Sequence, residues 1–172
     1  MYKRIFLLGI LIFLSCSTVA ADYTTPTGRV KDAVDKVITI LKDQTLDRES
    51  KWQEIAVVIR SSFDFRSMSQ SVLATNWRKA SPDEQERFTE FFTEYIEETY
   101  RVKIEAYTDE KVVYKSESIR GNRAKVDTEI VTGSTSIPVE FKLRQDEGQW
   151  YAYDVIIEGV SLLSAVKDVN DE

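Results

Sequence analysis

The chain of 172 residues contains no histidine and a single cysteine, Cys16. Imidazole-based proton transfer, Ser-His-Asp triads, Cys-His dyads and metal sites built from imidazole or thiolate are therefore excluded. Glycine and proline are sparse, six and three residues, and no Gly-rich loop that would cradle a phosphate occurs. Basic residues are outnumbered, 23 Lys and Arg against 29 Asp and Glu, for a net charge of −6. A protein of that sign gains no counterion release from a phosphate backbone, and no basic patch is interleaved with aromatics, so nucleic acid is excluded as a partner. No apolar run reaches the roughly 20 residues that a permanent bilayer span needs. What is present, 42% hydrophobic and 30% charged residues, is the balance of one globular domain.

The first residues read as an export signal. Lys3 and Arg4 precede an apolar run from Ile5 to Leu14, and small residues end in Val19, Ala20 and Ala21, the three-part pattern of a cleaved secretory leader. Residues 1–21 are thus the signal peptide and residues 22–172 the domain. Cleavage leaves 21 basic against 29 acidic residues, a net charge of −8, and no cysteine. Without disulfides the exported domain depends on its core, and a chain of about 150 residues buries roughly 68–70% of its unfolded surface. The competing reading is a lipoprotein acylated at Cys16; Phe13 and Leu14 are poor residues for the positions before such a cysteine.

Apolar residues at Val30, Ala33, Val34, Val37, Ile38 and Leu41 fall at helical spacing and put one stripe on a first helix. Trp52, Ile55, Ala56, Ile59 and Phe63 mark a second, and Phe65, Met68, Val72 and Leu73 a shorter third over residues 64–74. Ser81, Pro82, Asp83 and Glu84 combine a capping hydroxyl, a proline at the first helical position and acid in the first turn, a strong helix start. The helix they open carries Phe88, Phe91, Phe92, Tyr95, Ile96, Tyr100, Val102 and Tyr107, and residues 82–107 would span about 39 Å at 1.5 Å per residue.

After Thr108 the period changes to 2. A strand over residues 111–117 leads to a turn at Gly121 and Asn122, then Ala124, Val126, Thr128 and Ile130 alternate with charged residues, as do Ile137, Val139, Phe141 and Leu143. One wet and one dry face per strand is the pattern of an antiparallel sheet covered on one side. Asp146, Glu147 and Gly148 turn the chain into a fourth strand, Trp150 to Ile157, in which both parities carry large groups, so it reads as central; Gly159 ends it and Ser161 caps a short last helix. The fold class is α+β: N-terminal helices packed on one face of a curled four-stranded antiparallel sheet.

Few constellations carry chemistry. A cone-shaped helix-and-sheet fold can host proton-transfer enzymes that use a carboxylate and a tyrosine, and Asp154 beside Tyr153, facing Tyr95 or Tyr100, is the candidate. A carboxylate inside an apolar strand is more commonly a structural ion pair, here to an Arg such as Arg78 or Arg101. Asp109 and Glu110, and the tail acids Asp168, Asp171 and Glu172, match no metal-ligand spacing and read as solvated surface. The aromatic stripe of the long helix, taken alone, reads as core.

A more specific signal lies in five separated blocks. The segment from Phe63, Asp64, Phe65, Arg66, Ser67, Met68 and Ser69 through Val72 and Leu73, then Trp77 to Pro82, Gln85 and Phe88, resembles the MlaC family, also called the toluene-tolerance auxiliary family of ABC transporters. Thr99 with Tyr100, Ile137 with Pro138 and Val139, and Trp150 through Asp154, Val155 and Ile157 to Leu162 resemble, in order, later blocks of the same family. The resemblance is collinear from about residue 30 to residue 165. It implies a non-enzymatic periplasmic carrier with no cofactor, its cargo a bound phospholipid, helping to maintain outer-membrane lipid asymmetry. The implied partners are an inner-membrane MCE-domain ring with its ABC transporter and an outer-membrane lipoprotein–porin complex. The small-molecule enzyme and a non-lipid envelope adaptor are the alternatives.

On the carrier reading, helices and sheet enclose an apolar cavity for acyl chains. The expected lining is Val126, Ile130, Val139, Phe141 and Val155 from the strands and Phe88, Phe92, Tyr95 and Tyr100 from the long helix. Burying about 30 methylenes at roughly 0.8 kcal/mol each gives a gross term of about 24 kcal/mol before entropy and cavity costs. Such a cargo does not leave unaided into water, so transfer requires docking. Family members usually continue well past the Gly159 to Ser161 block, whereas this chain stops at Glu172; either the terminal helices are dispensable here or the pocket is smaller and more open.

Overall fold

The computed structural model describes residues 24–170, with side chains through Val166. The leader with Cys16, the side chain of Asp168, and Asp171 and Glu172 lie outside the described residues. Four helices precede the sheet: α1 (Pro26–Lys42), α2 (Arg48–Ser62), α3 (Phe65–Leu73) and α4 (Pro82–Glu105). Each starts at a side-chain oxygen that accepts a backbone N–H of the first turn: Thr25 from Gly28, Asp47 from Ser50, Asp64 from Ser67, and Ser81 from Glu84. At α4 the Glu84 carboxylate also accepts from the Ser81 N–H at 2.7 Å, completing a capping box.

Strands β1 (Lys111–Arg120), β2 (Arg123–Thr132), β3 (Thr135–Asp146) and β4 (Gln149–Ile157) follow as an antiparallel meander. The expected four strands become five, because the two-residue β5 (Val160–Ser161) pairs with the end of β4 before α5 (Leu162–Asn170), giving the order β1-β2-β3-β4-β5. The hairpins turn in two residues. Gly121 (φ 60°) takes the first position of the β1–β2 turn, and Glu147 and Gly148 (φ 47° and 81°) share the β3–β4 turn, the positive φ that such tight turns require.

The fourth strand is not the centre of the sheet. It lies between β3 and the short β5, and along its middle the outer edge is covered by the α2–α3 link instead: Phe63 bridges Ala152 in parallel, and the Asp64 N–H donates to the Ala152 carbonyl at 2.8 Å. Large groups occur on both parities because of a β-bulge. Leu143 pairs with Ala152 but Lys142 with Asp154, leaving Tyr153 unmatched. The inward set therefore switches from even to odd numbers along the strand, and a bulge also bends the strand and increases its twist.

Two apolar clusters hold the layers together. In the first, Val30 of α1 packs with Ala124, Val126, Leu143 and Trp150 of the sheet. In the second, Phe65 and Met68 of α3 pack with Phe92 and Ile96 of α4 and with Leu162 and Leu163 of α5.

Candidate functional site

Between these clusters lies a cavity of about 360 Å³ whose wall is almost wholly apolar, at the lower end of the roughly 300–1,000 Å³ usual for ligand pockets. The amphipathic stripe of α1 supplies one side, with Val34, Val37, Ile38 and Leu41; α2 adds Val58 and Ile59, and the link after it Phe63. The floor is the inner sheet face, where β2 and β3 pair Ala124 with Leu143, Val126 with Phe141, Thr128 with Val139 and Ile130 with Ile137. Of these, Ile130, Val139, Phe141 and Leu143 reach the cavity, joined by Ala152, Val155 and Ile157 from β4. The buried Thr128 donates its hydroxyl to the Val139 carbonyl at 2.9 Å, so its oxygen is satisfied within the sheet.

The structure brings Tyr100, Ile130, Val139, Phe141 and Val155 together on the cavity wall. It places the other four residues expected there elsewhere. Val126 is fully buried in the first cluster; Phe92 is buried in the second, with Phe88 stacked on it at 6.0 Å between ring centroids. Tyr95 is on the solvent side of α4, stacked at 6.5 Å on the exposed Phe91. At 3.6 residues per turn each position is rotated 100° from the last, which turns Tyr95 out of the stripe; Phe88 and Phe92 share the stripe with Tyr100 but lie nearer the start of α4. The portion through Phe88 and Phe92 meets α3 and α5, Ile96 borders both that cluster and the cavity, and Tyr100, Lys103 and Ile104, with Tyr107 just beyond α4, line the cavity.

Lining by α1 was not expected from the sequence, because its stripe is indistinguishable by spacing from an ordinary core stripe. The charged liners Arg29 and Glu97 were also missed. Arg29 is buried beneath α1 and donates to the Ser61 carbonyl, with its guanidinium 5.7 Å from the Tyr151 ring centroid. Glu97, only 6% exposed, accepts a bidentate pair of hydrogen bonds from Arg60 of α2, both at 2.7 Å.

Asp154 does not line the cavity. Its oxygens accept from the Ser161 hydroxyl at 2.9 Å and the Leu163 N–H at 3.4 Å, and Lys142, its cross-strand partner, lies 3.4 Å away. The carboxylate thus orders the start of α5. Its ion-pair partner is a lysine rather than the expected arginine, because register places Lys142 directly opposite, while Arg101 pairs with Glu49 and Glu105. Among the described residues no group of three acidic or thiol ligands is placed to hold a metal, and no helix is long and apolar enough to cross a membrane.

Comparison with known proteins matches this architecture. The family model described as MlaC protein matches residues 31–168. The chain is 24% identical to the intermembrane phospholipid transport system binding protein MlaC of Haemophilus influenzae, over 88% of this chain and 75% of that one. It is also 24% identical to the toluene tolerance protein ttg2D of Pseudomonas putida, over 93% and 78%. The fold superposes on a phospholipid-binding protein from Ralstonia solanacearum, solved in complex with a phospholipid, with a TM-score of 0.73 and 22% identity over 82% of each chain. With the family model covering most of its length, the chain belongs to the MlaC family.

Proposed function

We propose that this protein is a periplasmic phospholipid carrier that takes an acyl tail into the cavity between α1, α2, α4 and the sheet and keeps the head group outside. The observation that carries this reading is the apolar wall of that cavity in a chain of the MlaC family. Among the described residues the one carboxylate in its wall, Glu97, is ion-paired with Arg60. The domain of residues 22–172, released from its leader after Ala21, would shuttle lipid between an MCE-domain ring with its ABC transporter at the inner membrane and a lipoprotein–porin complex at the outer membrane.

Organic extraction of the purified mature protein followed by mass spectrometry tests the reading. Glycerophospholipid in a fixed ratio to protein is the expected result; protein that folds and carries none overturns it. Phe141→Glu places a charge on the cavity floor and should abolish the co-purifying lipid, since an unpaired carboxylate is costly in an apolar site. If that variant keeps a native circular dichroism spectrum and its full lipid load, the tail lies elsewhere.

A further inference from the structure

We propose that the seam between α2 and α4 is the portal through which the acyl tail enters and leaves, and that its ion pairs act as a reversible clasp. The inference rests on the carrier reading and adds to it a route and the residues that govern it. Along this seam the two helices run antiparallel, joined on the solvent side by charge pairs at two levels. At the level of the cavity wall, Arg60 holds Glu97. About 18 Å further along α2, at 1.5 Å per residue, Arg48 reaches Glu105 at 2.6 Å and Glu49 reaches Arg101 at 2.8 Å. Arg101 also binds Glu105 at 2.9 Å and covers the Trp52 ring, 5.1 Å from its centroid.

Differential cost decides where the cavity opens. The first apolar cluster fixes α1 to the sheet, and the second fixes α4 to α3 and α5. Parting either one exposes apolar surface that water cannot compensate. Parting the seam breaks ion pairs and lifts Arg101 from the buried Trp52 ring; the hydration that the half-buried Glu105 and Arg101 recover as they separate offsets the attraction they lose. The cavity therefore opens at least cost where α2 meets α4. Ile59 and Phe63 at the C-terminal end of α2 pack on the second cluster, which makes that end the hinge. The Arg48–Glu105 end parts first, beside Leu41, Lys103 and Tyr107, which line the same end of the cavity.

The test locks the seam after folding. Arg48→Cys and Glu105→Cys, at the end that parts, are introduced together into the mature chain, which holds no other cysteine once the leader with Cys16 is removed, and joined by a short reducible bis-maleimide. The protein is loaded with nitrobenzoxadiazole-labelled phosphatidylethanolamine, and transfer to phosphatidylcholine vesicles is followed. Transfer at least tenfold slower in the cross-linked form, restored on reduction to a rate above that of the native pair, is the expected result. Equal rates before and after reduction overturn the portal while leaving the carrier reading intact. A protein that takes up no labelled lipid in either form fails as a carrier, and the portal falls with it.

Discussion

The two buried carboxylates, Asp154 and Glu97, show how the same residue type is used for different ends. Asp154 is 4% exposed, yet it has a hydroxyl, a backbone N–H and a lysine around it, so its charge is matched by the element it starts. Truncating it strands the Leu163 N–H and removes the charge opposite Lys142. Asp154→Ala should therefore cost about 2 kcal/mol of unfolding free energy, read as a shift in the urea midpoint with unchanged slope. Lipid content of the folded fraction should stay the same, because Asp154 does not border the cavity. An Asp154→Ala protein of native stability that fails in transfer would instead give the carboxylate the functional role that its place in an apolar strand first suggested.

Among the elements, α4 was the most legible, because its start depends on local chemistry. The Ser81 and Glu84 pair, with Pro82 between them, is readable from four consecutive residues and forms the capping box. Ser81→Ala should cost about 1 kcal/mol, a fall in Tm of about 2–4 °C for a domain of this size; Ser81→Gly should cost only a few tenths of that. Scanning calorimetry of the two variants separates a working cap from a bystander. The strands were equally legible wherever the period of 2 is unbroken, as in β2. It fails in β4, since a bulge at Tyr153 is a property of the pairing with β3 and leaves no local mark except large groups on both parities. The candidate site was legible only in part for a related reason. Spacing says that Phe88, Phe92 and Tyr100 share a stripe, but which portion of it meets α3 and which meets the cavity depends on how α4 crosses its neighbours.

At the scale of the whole molecule, the absence of histidine sets the pH response. Once the leader with Cys16 is removed, no side-chain type that remains titrates at its ordinary value between roughly pH 5.5 and 9. Below that window, hydrogen bonds lower several carboxylates: Asp127 by the Ser116 hydroxyl, Glu105 by the Arg48 guanidinium and then Arg101, Glu84 by the backbone N–H of Ser81. Groups lowered in the folded state bind fewer protons there than in the unfolded chain. Their contribution is complete above the ordinary carboxylate value and is lost as pH falls through the folded one. Above the window the sign reverses. Burial raises Tyr114, whose hydroxyl has no hydrogen-bond partner among the described residues, and also Tyr100 and Tyr107, so the unfolded phenols ionise first and stability falls as pH rises past about 10. Urea midpoints should thus form a plateau with losses at both ends and no step between pH 6 and 7.5. A step there would require a group titrating near neutrality, and the mature chain has only its terminal amine to supply one. Such a step should disappear when that amine is acetylated; if it persists, a carboxylate must titrate near neutrality, and the plateau is overturned.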